Sequence, residues 1–435
     1  MNRKSLFLLT LVAAFALLLA ACAGAAPAPA AGGEASAPAV TGGNAQEVII
    51  GFTASQTGKY NVESDRQTTG LQMWMDDVNN AGGLTLSDGT VLTFKAASYD
   101  DESNKDRVQE LYTRLATEDN ADFLISPYSS GLTAAAAVIA EQYGKPMITT
   151  GAASDATYKQ GYTQVYQAYT PASRYLTSAV DMLGSLDPEA KKIAIVYENS
   201  KFSTGVAEAA QAYAQDQGYD VVLFEGYDPD TKDFNAFINK IEAAKPDAIM
   251  GGGHFQDGST FARQLNEKGV DVKAVTLLVA PPEPTFAELG DAALGITGPS
   301  QWEPAAKYSE EAAKEAGLEW FGPSSDEFAS AYESAKGEAP SYHAAGGYAA
   351  GLLLQKAIED ADSVDPAKIK EALDNMDVML FFGHEKFDTS EDAHGLQLGH
   401  DMIIIQWQKD DSGNLMKQVV WPPAGATADP IYPIP

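Results

Sequence analysis

Basic side chains are scarce in this chain: 29 Lys and Arg stand against 60 Asp and Glu over 435 residues, a formal net charge of −31. That balance excludes a nucleic-acid binder, because phosphate neutralisation needs clustered Lys and Arg and no such cluster occurs. Surplus acid favours solubility and says little about a ligand held in a local pocket. Cysteine is scarcer still: Cys22 is the single one, so no disulfide can form within the chain in any redox compartment. Long apolar runs are missing after residue 21. No later segment can span a bilayer as a helix, and any membrane-crossing work falls to a partner.

Arrangements that make and break bonds are missing too. No G-x-S-x-G turn surrounds any serine, so Ser129 and Ser130 lack the usual setting of a nucleophile. Residues 53–60 echo a phosphate-binding glycine loop at Gly58-Lys59, but the first glycine is misplaced, and Tyr60 stands where Ser or Thr would coordinate magnesium. His384, His394 and His400, with Asp392 and Asp401 nearby, do not show the i, i+4 spacing of a hydrolase zinc motif and read as solvated loop histidines. His343 reads as a surface or helix-packing residue. Asp100 and Asp101, just ahead of a helix, read as stabilisers of its N-terminus. The expectation is a chain that is not an enzyme and uses no metal and no cofactor.

What is present begins at the N-terminus. Asn2-Arg3-Lys4 is a basic start, residues 6–21 are an apolar stretch of signal-peptide length, and Leu19-Ala20-Ala21-Cys22 is similar to the bacterial lipoprotein cleavage box. Residues 1–22 are therefore read as a lipoprotein signal ending at the lipidated Cys22. Residues 23–46, rich in Ala, Pro and Gly, are read as a flexible tether. The protein is expected to be exported and held on the outer face of the cytoplasmic membrane by a lipid anchor alone.

The stretch FLISPYSSGLTAAAAVIAEQYGKPMITTGAAS, residues 123–154, organises the rest. It predicts strands over 123–126 and 146–150 with an alanine-rich helix over 132–143 between them. Such a crossover makes the strands parallel, so the turns 127–131 and 150–154 leave the sheet at one edge, where open α/β sheets bind ligands. Ser129 and Ser130 fall where the helix begins. Unpaired N–H groups, hydroxyls and the positive helix end would then point into a cleft and suit a small carboxylate; the alternative is that the serines merely cap the helix.

Around this unit strand and helix alternate twice, before and after a break at Thr170-Pro171, and imply two similar lobes. A helical block follows, over 305–315, 328–336, 342–360 and 366–376, and is expected to pack back on the first lobe. A late strand over 402–407 and a proline-bearing tail over 422–435 close the chain.

The opening VIIGFTASQTGKY, the helix end DDVNNAGG, the turn YDDESN, then SPYSSGLTAAA, KPMITTGAAS, KKIAIVYENSKFSTG, GYDPDTKDFNAFINKIEAAKPDAIM and SYHAAGGYAAGLLLQKAI, in that order, resemble the type I periplasmic binding proteins of ABC importers, in the branch that binds leucine, isoleucine and valine. The resemblance implies an α/β fold of two doubly wound lobes, residues 47–170 with 301–398 and residues 171–300 with 399–421, closing on a ligand between them. It implies that Tyr128, Ser129 and Ser130, with the turn Gly151, Ala152 and Ala153, grip a carboxylate. It also implies that Tyr60, Phe202 and His254 cover the ligand. Two departures stand out. A family threonine or serine falls on Ala153, and the acid that holds the ligand's ammonium falls near Leu278, so that Glu283 takes its place if the loop 280–283 is shifted. The implied ligand is an amino acid, branched-chain first, or a related small carboxylate or amide. The implied partner is an ABC permease with a separate ATPase. An extracellular sensor of the same fold is the first competing reading, and a metal-dependent enzyme built on the C-terminal histidines the second.

Overall fold

A computed structural model describes residues 44–306 and 308–435. The signal peptide, Cys22 and the tether up to residue 43 lie outside the described residues. The tether reading is corrected at its end: Ala45 and Gln46 already belong to strand β1, Ala45–Ala54, because they pair with Val91 and Leu92 of its neighbour.

β1 buries Val48, Ile50 and Phe52 on alternate positions, the period of a strand. It joins β2 (Leu84–Thr85), β3 (Val91–Asp100), β4 (Phe123–Ile125), β5 (Met147–Thr149) and β6 (Val165–Gln167) in a sheet of order β2-β3-β1-β4-β5-β6. All its pairs are parallel except β2 with β3. A second sheet contains β7 (Lys192–Glu198), β8 (Asp220–Tyr227), β9 (Ala248–Gly252), β10 (Ala274–Leu277) and β11 (Thr297–Ser300). Beyond a small sheet of β12 (Glu319–Trp320), β13 (Asp377–Leu380) and β14 (Gly383–Lys386), the chain returns through β15 (Ile403–Lys409) and β16 (Leu415–Trp421), which extend the second sheet to β16-β15-β11-β10-β9-β7-β8. Each large sheet is covered by helices, as parallel strands require, and forms one lobe of a two-lobed α/β fold. Among the described residues no helix is long and apolar enough to cross a membrane.

The helical block does return to the first sheet. Helix Tyr342–Ala361 lies along helix Asn61–Asn80, and glycines set the spacing. A Cβ on Gly347 would stand 1.9 Å from the Gln67 carbonyl oxygen, and one on Gly70 1.9 Å from that of Ala344. The helix expected over 305–315 starts later, at Glu310, because Ser309 caps it by accepting the Ala312 N–H at 3.2 Å. The tail is stitched down: Gln406 exchanges hydrogen bonds with the Ile431 backbone at 2.7 and 3.0 Å, and Ile434 N donates to Lys273 O at 3.0 Å.

Three passages of chain between the sheets meet at Thr170. Its N–H donates to Gln301 Oε1 at 2.9 Å and its hydroxyl to His400 O at 3.1 Å, while Gln301 Nε2 donates to the Tyr175 hydroxyl at 2.7 Å. All four residues are buried.

Candidate ligand-binding site

The turn after β4 is built by a serine in an unusual conformation. Ser129 has φ = 84°, which costs a non-glycine residue energy and clusters at functional turns. It is held there by its N–H to Gly151 O at 3.1 Å and by the Leu132 N–H donating to its Oγ at 3.3 Å. Ser129 is therefore a helix cap. Ser130 does something else: its Oγ accepts N–H groups of Ala153 at 3.2 Å and Ser154 at 3.1 Å, tying the two ligand-edge turns together. Gly151 is required between them. Its φ is +72°, and a Cβ would lie 2.4 Å from Gln67 Oε1 and 2.6 Å from Tyr128 Cδ2.

The second sheet meets this edge through two helix beginnings. Ser200 caps helix Lys201–Asp216, which carries Phe202, and His254 opens helix Phe255–Lys268, its N–H donating to Asp257 Oδ1 at 2.8 Å. The His254 ring lies 4.8 Å from that of Tyr60, 5.6 Å from Tyr128 and 5.9 Å from Phe202. Its Nδ1 is 3.0 Å from the Tyr128 hydroxyl and its Nε2 is 3.3 Å from Glu198 Oε2. Burial lowers the His254 pKa to about 4, so the ring is neutral at pH 7. A ring proton on Nε2 would face the Glu198 carboxylate and leave Nδ1 to accept from Tyr128. Lys59, the lysine of the glycine-loop echo, lies 2.7 Å from Glu198 Oε1 and over the Tyr60 ring at 4.7 Å. Burial works against the Glu198 charge, yet the charge and hydrogen bond of Lys59 help to hold its carboxyl below the ordinary range.

Tyr128, Ser130, Gly151, Ala153, Phe202 and His254 thus wall one gap, with the Tyr60 ring packed against His254; Ser129 and Ala152 are not among the lining residues. Glu283 stands outside the wall, 2.5 Å from His343 Nδ1 and 4.0 Å from Arg66 Nε. Against burial, the hydrogen bond from His343 holds its carboxyl below the usual value. The surface reading of His343 is corrected: it is 1% exposed and lines the gap, since the first turn of its helix is turned toward the sheet edge. Tyr169, Tyr175 and Tyr342 also line it and went unread. Tyr342 and His343 could have been found from their place at a helix start, and Glu198 from its place at the carboxyl end of β7. The space enclosed is about 10 Å³, the lower limit for one water, so a ligand the size of an amino acid enters only when the lobes part.

Other histidine and acid readings change as well. His394 and His400 are buried, not solvated. His394 Nε2 is 2.9 Å from Asp374 Oδ1, and burial lowers His400 to about 3, with its ring 5.2 Å from Phe382. His384 pairs separately with Asp377 at 2.6 Å and Asp401 with Arg174 at 2.9 Å. Among the described residues no group of three or more His, Cys, Asp or Glu could hold a metal ion. Asp101 does not serve the following helix, which Asn104 caps. It accepts the hydroxyls of Thr53 and Ser55, both at 2.6 Å, and so fixes the turn that presents Tyr60.

A carboxyl also bridges the lobes. Glu63 Oε1 accepts the Phe255 N–H at 2.9 Å, and burial, with Glu283 and Asp257 nearby, pushes its pKa up to about 8. Were the lobes to part and water to reach it, it would return toward the ordinary value of 4.5. Closure then binds a proton, so the closed form loses stability as pH rises from about 4.5 to about 8 and levels off above. Small-angle scattering of the ligand-free protein should show the radius of gyration rising between pH 5 and pH 8, and less so in Glu63→Gln; equal profiles for the two proteins would rule out this carboxyl as the cause.

With this geometry in hand, known proteins give it a context. The family model described as periplasmic binding protein matches residues 47–413. The chain is 24% identical over 375 residues to Leu/Ile/Val-binding protein homolog 7 of Brucella melitensis, covering 84% of this chain and 89% of that one. Its fold is similar to the branched-chain amino acid transporter substrate binding protein of Streptococcus pneumoniae in complex with isoleucine, with a TM-score of 0.70 and 21% identity over 86% of this chain and 100% of that one. It is also similar to an ABC transporter solute binding protein of R. palustris in complex with benzoate, with a TM-score of 0.71 and 18% identity over 88% and 98%. Proteins of this family bind solutes and are not enzymes. A match over most of its length, with two helix-covered sheets meeting at one gap, makes this chain a member of the periplasmic binding protein family.

Proposed function

We propose that the protein captures a small molecule outside the cytoplasm, an amino acid of the branched-chain group or a related small carboxylate or amide, and delivers it to an ABC permease served by a separate ATPase. On this reading Cys22 carries the lipid anchor, and residues 47–170 with 301–398 and 171–300 with 399–421 are the moving lobes. Ser130 and the turn 151–153 hold the ligand's carboxylate, and Tyr60, Tyr128, Phe202 and His254 close over its body. The observation that carries it is the gap itself, walled from both sheets and too small for its ligand while shut. A ligand that touches both walls has differential affinity for the closed form and shifts the population toward it. The permease then has a distinct ligand-loaded shape to recognise.

The test is ligand-induced thermal stabilisation across a panel of amino acids, amides and small carboxylates. At a hundredfold excess over Kd a true ligand stabilises by about 2.7 kcal/mol. Ser130→Ala combined with Tyr60→Ala should abolish the shift, and a full response in that variant would place binding elsewhere.

A further inference from the structure

Polar atoms without partners collect on one side of the gap. Glu63 and Gln67 stand one turn apart on helix Asn61–Asn80, and His343 lies in the first turn of helix Tyr342–Ala361 packed beside it. Each residue is at most 2% exposed. Glu63 Oε2, Gln67 Oε1 and His343 Nε2 are buried with no hydrogen-bond partner among the described residues. An unpaired buried polar atom is costly, so such a group beside a cleft marks where a ligand completes it.

What Gln67 and His343 offer is acceptance. Gln67 Nε2 donates to Ser126 O at 2.8 Å; a carbonyl only accepts, which places the amide nitrogen there and turns Oε1 the other way. That oxygen stands against the wall at Gly151, where an added Cβ would lie 2.4 Å from it. His343 lines the gap, its ring 5.2 Å from that of Tyr128 and 4.0 Å from that of Tyr342. Its Nδ1 is 2.5 Å from Glu283. With the ring proton on Nδ1, Nε2 is an acceptor directed away from Glu283, and the carboxylate stands as counter-ion behind whatever Nε2 receives. Gly151 also belongs to the turn 151–153, so this accepting side adjoins the end of the cleft assigned to the carboxylate.

We propose that Gln67, with His343 beside it, forms a subsite for a ligand nitrogen carrying two or more hydrogens, an ammonium or a primary amide. The proposal rests on the cleft being the binding site and names two residues that set its specificity. Isothermal titration at about pH 8, where a histidine ordinarily carries one ring proton, compares leucine, 4-methylpentanamide and 4-methylpentanoate. Leucine or the amide should bind about tenfold or more tighter than 4-methylpentanoate, the gain expected of hydrogen bonds to buried acceptors. Preference for leucine assigns the subsite to an ammonium, and preference for the amide to a neutral nitrogen. In Gln67→Met that ratio should fall to about threefold or less. His343→Asn, which keeps an N–H donor for Glu283 and removes Nε2, should lower it likewise and serves if the first variant does not fold. A ratio unchanged in the variants, whatever the absolute affinities, would overturn the assignment. 4-Methylpentanoate binding to the wild type as tightly as both nitrogen compounds would overturn the subsite and leave the cleft reading standing. No binding of any of the three would overturn both.

Discussion

Replacing Glu283 with alanine is expected to lower the free energy of unfolding by about 1–3 kcal/mol, the usual cost of leaving a buried hydrogen-bond donor without its acceptor. Glu283 is 0% and His343 1% exposed, so water cannot replace the lost carboxylate. The Nδ1 hydrogen of His343 would then be buried without an acceptor, and Arg66 would lose a carboxylate 4.0 Å away. Urea unfolding at pH 7 measures the effect. Because the folded protein holds Glu283 below its ordinary pKa, its contribution is present above the unfolded value and disappears as pH falls through the folded one. Wild type and variant should therefore converge in acid. Removing both partners together, as Glu283→Met with His343→Leu, should restore much of the loss, since an apolar pair of similar volume leaves no buried polar group unpaired. A single-variant loss below about 1 kcal/mol would mean the pair is not closed as described.

The second large effect is expected from a methyl group. Alanine in the middle of a helix ordinarily stabilises by about 0.5–1 kcal/mol relative to glycine. At Gly347 the sign should reverse. The added carbon would fall 1.9 Å from the Gln67 backbone oxygen, an atom that cannot rotate away, so the two helices must separate, with a loss of about 1–3 kcal/mol or more. Gln67 also donates through Nε2 to Ser126 O at 2.8 Å and abuts the space at Gly151, so ligand affinity should fall along with stability. Gly205 is the control. It sits in helix Lys201–Asp216 with open space where a Cβ would go, and Gly205→Ala should stabilise. If both substitutions moved urea midpoints in the same direction, the close approach of helices Asn61–Asn80 and Tyr342–Ala361 would not be what glycine is there for.

Much of this architecture could be read from residue order alone. The run from Phe123 to Ser154 has the alternation of strand, turn, helix and strand, and the crossover rule then orients its turns without further information. Of the apolar stripe Leu71, Trp74, Met75 and Val78, the first three are buried as a helical face should be and Val78 is half-buried. Strands of two residues such as Leu84–Thr85 and Glu319–Trp320 carry no periodicity to detect. Pairs that cross the lobes were equally invisible. Lys59 and Glu198 are 139 positions apart, and Glu63 and Phe255 are 192 apart; no local pattern links them. The surface reading of His343 fails because its first helical turn faces a sheet edge, whereas an isolated helix start reads as solvent-exposed. Asp101 was misread for the opposite reason: its local setting suited a helix N-terminus, but two hydroxyls 48 and 46 positions away claim it.

The junction at Thr170 has a mechanical meaning. Three threads lashed side by side, through Gln301 and the His400 carbonyl, oppose sliding and shear far more than they oppose swinging about a line through the lashing. Were the lobes to part as proposed, such a lashing would favour travel close to a single angular coordinate. Tyr128 and His254 would then separate and rejoin along one arc, and a solute would meet the same two jaws in the same alignment.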